Sequence, residues 1–162
     1  MIVSDSSPLI MLGKQGQLDI LKKCFKKVLI SKSVYEEIAC KKESYEAIAL
    51  NNAIKEKWIS VQKTETLSKL ETEKLGKGEK ESISLAIKHK CLLIMDDGTA
   101  KKYASIFKVD AHGTFYVILL ACKKNFLDKS SAKGLLESMM AEGFYISSEV
   151  HSRFLKMIAA LK

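Results

Sequence analysis

Asp5, Glu37, Glu79 and the adjacent pair Asp96-Asp97 are the residues of this chain whose types and spacing could do chemistry. Each stands where a short apolar run ends or on the inward side of a helical pattern. A carboxylate in such a place is costly to desolvate unless a cation or a donor satisfies it. Several carboxylates converging from distant parts of a chain suit a hard divalent cation, which takes oxygen ligands.

Asp5 follows the apolar run Met1-Ile2-Val3-Ser4 and precedes Ser6-Ser7-Pro8. It faces the crevice expected at the end of a first strand, or it caps a short helix that starts near Pro8. Glu37 belongs to the helical pattern Val34-Tyr35-Glu36-Glu37-Ile38. At ~100° per residue it flanks the Val34/Ile38 stripe, while Glu36 points to water. Its alternative role is a surface ion pair. Glu79 opens a helix one turn before Ile83, on the side of the Ile83/Ala86/Ile87 stripe. Glu81 is expected on the far side, and Gly78 is expected to let the chain turn into the helix. The helix dipole alone could explain an acid in a first turn. Asp96 and Asp97 end the run Cys91-Leu92-Leu93-Ile94-Met95 and precede Gly98. Two adjacent carboxylates repel each other unless something positive lies near; a turn with a helix cap is the other explanation.

Around these acids the chain is basic, with 27 Lys and Arg against 19 Asp and Glu, a formal net charge of +8. An acidic pocket inside a basic protein suits an enzyme that grips a polyanion and cuts it with metal ions. Arg153 is the only Arg. Lys meets phosphate as a point charge, so contact with a nucleic-acid backbone is expected more than base reading by forked side chains. Cys24, Cys40, Cys91 and Cys122 are far apart and form no Cys-x-x-Cys pair, which argues against zinc and for a reducing compartment. The start Met1-Ile2-Val3-Ser4-Asp5 does not read as a signal peptide, and no apolar run nears the roughly 20 residues of a membrane helix. A cytoplasmic protein is expected. His89, His112 and His151 pair with no acid at ligand spacing, and the Tyr and Phe residues read as core or subunit interface.

The elements that must position these acids alternate between strand and helix. Strands are expected at 1–4, 27–30, 58–61, 91–95 and 109–111. Helices are expected at 18–25, 32–40, 44–56, 78–89, 98–107, 114–123, 129–141 and 148–161, the last with Ser148 as its N-cap. Residues 63–77 are polar and read as a connection. The pattern predicts one three-layer α/β/α domain over residues 1–162, built on a parallel sheet of four to five strands. Such sheets bind ligands at the carboxyl ends of their strands, where Asp5 and Asp96-Asp97 fall.

In these stretches the sequence resembles the PIN-domain nucleases, and among them the toxin-like, VapC-related branch. The resemblance runs through Ile2–Ile10, Val28–Ile38, Gly78–Ala86, Leu92–Asp97 and Gly113-Thr114, and covers most of residues 1–125; residues 126–162 look like that branch's helical extension. It implies a PIN-like fold and a ribonuclease. It implies catalytic acids at Asp5, Glu37, Glu79, Asp96 and Asp97, with Mg²⁺ or Mn²⁺ held by Asp5, Glu79, Asp96 and Asp97. It also implies RNA as substrate, a small antitoxin protein as partner and a homodimer. Ser6, Ser7 and Thr114 would orient waters around the ion, and Lys101 or Lys102 would hold phosphate. Lys101 stands where the branch usually has Arg, and Ser82 where Ala is usual, a change expected to matter little. The other class of reading is a non-catalytic α/β module that binds nucleic acid or protein, its acids merely capped and paired. A phosphatase with an aspartyl nucleophile is disfavoured, because Asp5-Ser6-Ser7 lacks the Asp-x-Asp pattern.

Overall fold

The computed structural model describes residues 1–161; Lys162, the last residue of the expected extension, lies outside the described residues. The strands are β1 (Ile2–Ser4), β2 (Val28–Ser31), β3 (Ile59–Gln62), β4 (Leu93–Ile94) and β5 (Ala111–His112). All pair in parallel, in the order β3-β2-β1-β4-β5. The helices are α1 (Ser6–Lys14), α2 (Asp19–Phe25), α3 (Lys32–Ala39), α4 (Tyr45–Lys55), α5 (Lys77–His89), α6 (Gly98–Ile106), α7 (Thr114–Lys123), α8 (Lys129–Ala141) and α9 (Ser148–Ala160). A three-layer α/β/α sandwich results. The expected elements are found within a residue or two, and the short helix expected near Pro8 is α1, which starts at Ser6 and runs nine residues. Ser147, not Ser148, caps α9, accepting from the Val150 amide at 3.2 Å.

Both sheet faces are covered, so successive strand residues alternate between two cores. Ile2 and Ile94 join the larger core, with residues from α1 to α4 and α7 to α9. Val3, Leu93 and Met95 join the smaller one, with Ile83, Leu85 and Ala86 of α5 and Ala100 and Ala104 of α6. The connection after β3 closes this second core with Leu70 and Leu75, while the Leu67 amide donates to Ser84 Oγ at 3.1 Å. The strand order reverses between β1 and β4, and the crevice at that switch point is where open α/β sheets take ligands. Among the described residues no helix is long and apolar enough to cross a membrane.

Candidate active site

Four carboxylates from three elements line one cavity of about 480 Å³ at the carboxyl edge of the sheet: Asp5, Glu79 and, both from α3, Glu37 and the exposed Glu36. Ser6, Ser7 and Lys77 also line it. Each acid arrives for a local reason. Asp5 is the first residue past β1, its amide still bonded to the Ile94 carbonyl at 2.8 Å. Glu37 is carried by α3, which begins with no intervening loop because Ser31 ends β2 and caps the helix, accepting from the Val34 amide at 3.1 Å. Glu79 is carried by the first turn of α5.

Asp5 occupies the N-cap position of α1 yet makes no capping bond to it. It is buried, and its Oδ1 accepts instead from Ser82 Oγ on α5 at 3.2 Å. Burial is the largest reason its pKa rises to about 7; the Ser6 amide and the Ser82 hydroxyl oppose the shift, and the charges of Glu79 and Glu37 add to it. Ser82 therefore matters more than its small size suggested. The signal was available, since Ser82 is a polar residue three positions after Glu79, inside an apolar stripe.

The ion-pair explanation fails for Glu37. Among the described residues it has no basic partner within 4 Å, whereas Glu36 pairs with Lys32 at 3.2 Å. The local explanation does hold for part of Glu79, whose Oε2 accepts from the Gly76 amide at 2.7 Å. Burial, with the charges of Asp97 and Glu37, still raises the pKa of Glu79 against that bond. Gly76 makes the turn into α5, and Gly78 sits inside the helix without a positive φ. What Gly78 supplies is space. A methyl group there would lie 3.5 Å from Glu37 Oε2, 3.8 Å from Asp5 Oδ1 and 3.4 Å from Val34 Cγ2. Gly78→Ala is expected to hold or raise the melting temperature, because Ala favours a helix over Gly by roughly 0.5–1 kcal/mol. Were these acids to hold a divalent ion for cleavage, the same variant should lose cleavage about ten-fold, the size of effect seen when the surroundings of metal ligands change. A melting scan beside a cleavage assay separates the two effects.

Asp96 and Asp97 part company. Ser4 pairs with Ile94 in register, so Asp5 lies beside Met95 and Asp96 emerges on the opposite face. There Asp96 accepts from the Thr114 amide at 2.7 Å and from Thr114 Oγ1 at 2.8 Å. Gly113 permits this approach, since a Cβ on it would stand 2.8 Å from Asp96 Oδ1 and 3.7 Å from Lys101 Nζ. Burial pushes the Asp96 pKa up, against the two Thr114 bonds and the Lys101 charge. Asp97 is exposed and caps α6, accepting from the Ala100 amide at 2.7 Å, while its charge reaches Glu79. Thr114 thus holds a carboxylate directly. Lys101 is half-buried beside Asp96, and Lys102 is exposed on α6, outside both neighbouring cavities. Among the described residues no three acidic, histidine or cysteine side chains close on one point tightly enough to hold an ion as they stand.

Glu81 was expected to face away, but it is buried. Its carboxylate accepts from the Ser33 amide at 3.2 Å and the Ser33 hydroxyl at 2.8 Å. Helix α5 is covered by the sheet on one side and by α3 on another, so a single apolar stripe underestimates its buried surface. This tie sets the distance between Glu37 on α3 and Glu79 on α5. Glu81→Gln is expected to cost about 2 kcal/mol, the scale of lost hydrogen bonds to a charged group. At this chain length that is a fall of roughly 4–8 °C in melting temperature.

A PIN-domain family model matches residues 1–160. The chain belongs to the PIN-domain family. PIN domains are typically nucleases, and a nuclease-like role follows from membership. Among solved structures the chain is similar to a PilT N-terminus domain protein from the hyperthermophilic archaeon Sulfolobus solfataricus P2. The identity is 17%, with 72% of this chain and 90% of that chain covered, and the TM-score is 0.47. No curated protein matches the sequence.

Proposed function

We propose that this PIN protein is a divalent-metal-dependent endoribonuclease that hydrolyses RNA phosphodiester bonds, with residues 1–162 acting as one unit and α8 and α9 as its helical extension. The observation that carries the reading is the buried Asp5 carboxylate, uncapped and unpaired by any cation within 4 Å among the described residues, facing Glu37 and Glu79 across one cavity. Oxygen-only donors whose charges help to raise the pKa of Asp5 and of Glu79 fit a hard ion such as Mg²⁺ or Mn²⁺. Asp5 and Glu79 would hold it, with Asp97 near Glu79 and Asp96 at the far side of the same strand edge. When bound, such an ion polarises a phosphoryl oxygen and lowers the pKa of an attacking water.

The chain's own residues do the rest. Ser82 orients Asp5, and the Glu81–Ser33 tie holds Glu37 and Glu79 at their spacing. Thr114 fixes Asp96, and Lys101 places a positive charge beside it for a phosphate. Ser6 and Ser7 line the cavity, where their hydroxyls can hold waters. The net charge of +8 draws a polyanion toward the acidic pocket. The toxin role, the small antitoxin partner and the homodimer rest on the resemblance to the VapC-related branch, and the cytoplasmic setting rests on the four widely spaced cysteines.

A second reading, a non-catalytic α/β binding module, has its own support. Glu79, Asp96 and Asp97 each make a local structural bond, and no ready-made cage is present among the described residues. Incubating a panel of structured RNAs with the protein decides between the two. Cleavage is expected with Mn²⁺ and none with EDTA; intact RNA under both conditions, or equal cutting under both, sinks the metal-nuclease reading.

A further inference from the structure

A second cavity, of about 540 Å³, opens on the other side of the strand edge, with Asp96 and Lys101 in its wall. Its character differs from that of the acidic pocket. The rings of His112 and Tyr116 stack with centroids 4.1 Å apart and planes 19° from parallel, and His112 Nε2 lies 3.0 Å from Asp110 Oδ1. Tyr145, between α8 and α9, lines the cavity while 87% exposed, so its ring is spent on no core. Arg153, the only Arg of the chain, projects from α9 into the same lining.

We infer that this cavity is a nucleobase subsite, taking a base of single-stranded RNA next to the phosphate that is cut. Aromatic faces stack on any base, which has a π-face whatever its sequence. Lys101 stands at the Asp96 end, where the adjoining phosphate must sit if cleavage occurs at the acidic edge. Arg153 adds a permanent fork-shaped cation suited to a second phosphate. A purely electrostatic RNA groove would need Lys101 and Arg153 but not an unpacked tyrosine beside a stacked pair. An apolar protein segment would leave unanswered the charge of Arg153, which pairs with no acid within 4 Å among the described residues. The aromatic residues thus enter recognition rather than the core alone, and α8 and α9 become part of the substrate-binding surface. The inference rests on the nuclease reading for which phosphate is adjacent, but base binding itself does not require cutting.

The test uses the full chain in the cleavage-deficient Asp5→Asn background. Fluorescence anisotropy compares a labelled eight-nucleotide oligouridylate with an abasic chain of the same length and phosphate count. The base-bearing chain is expected to bind about ten-fold tighter or more, the scale of one or two stacked bases. Tyr145→Ala, at an exposed position that leaves the fold alone, should shrink that ratio at least three-fold. Arg153→Ala should weaken both chains alike. Equal binding of the two chains by the parent, or an unchanged ratio in Tyr145→Ala, overturns the inference and leaves the cavity to another occupant, such as a protein segment. Cleavage of RNA by the wild type without base discrimination would fail this inference alone. Discrimination without cleavage would fail the nuclease reading alone.

Discussion

Asp5→Asn should abolish RNA cleavage while making the metal-free protein more stable at pH 8. On the proposed metal-nuclease reading the first effect follows from losing a charged oxygen ligand and is expected to be ~100-fold or larger. The second follows from the sign of the Asp5 shift. In the fold its pKa is about 7, raised from 3.8. Between those values the folded chain binds a proton that the unfolded chain has released, so stability falls as pH rises through this window. Above pH 7 the ionised carboxylate costs up to about 4 kcal/mol, at 1.36 kcal/mol per pKa unit. Asn has nearly the same shape, can still accept from Ser82 and cannot ionise. A gain of about 2–4 kcal/mol is expected at pH 8, roughly 4–16 °C in melting temperature, fading to nothing near pH 4. Melting curves of both proteins in EDTA across pH 4–8 read this directly. A difference independent of pH would show that Asp5 is not held against its charge.

Divalent ions should supply what the fold withholds. Adding Mn²⁺ or Mg²⁺ to the apo protein at pH 8 is expected to raise the melting temperature. At a hundred times the dissociation constant the gain is ~2.7 kcal/mol, or about 5–11 °C for a chain of this length. Because Asp5, Glu79 and Asp96 all have raised pKa values, protons compete with the ion and the shift should shrink on going to pH 5. It should also shrink in Asp5→Asn and Glu79→Gln. The absence of a metal-dependent shift in the wild type at pH 8 would leave the capped-acid module as the better reading. The two experiments are complementary: the first asks whether the site is strained by its own charge, the second whether a cation relieves that strain.

Much of this architecture was legible in the chain because the relevant forces are local. Short apolar runs bounded by helical patterns mark each strand and helix, and acids that directly follow β1 and β4 must lie at the carboxyl edge of a parallel sheet. Capping chemistry acts over three residues, so a cap at the Asp96-Asp97 pair was among the expected roles and Asp97 fills it, while the cap of α9 was placed one residue late. Glu81 and Ser82 were misjudged for the opposite reason. One stripe of apolar residues shows that a helix has a buried side, but not that α3 covers a second one or that Asp5 waits there for a donor.

The elements, the chemistry of the side chains and the edge on which the acids gather are each encoded within single segments of the chain. Which of the acids meet is set between segments. Whether Asp5 and Asp96 share a face depends on the pairing of β1 with β4 across about ninety intervening residues, and the observed register sends them to opposite sides. A slip of one residue would reverse that outcome, because strand side chains alternate with period two while nothing within either segment encodes its offset from the other.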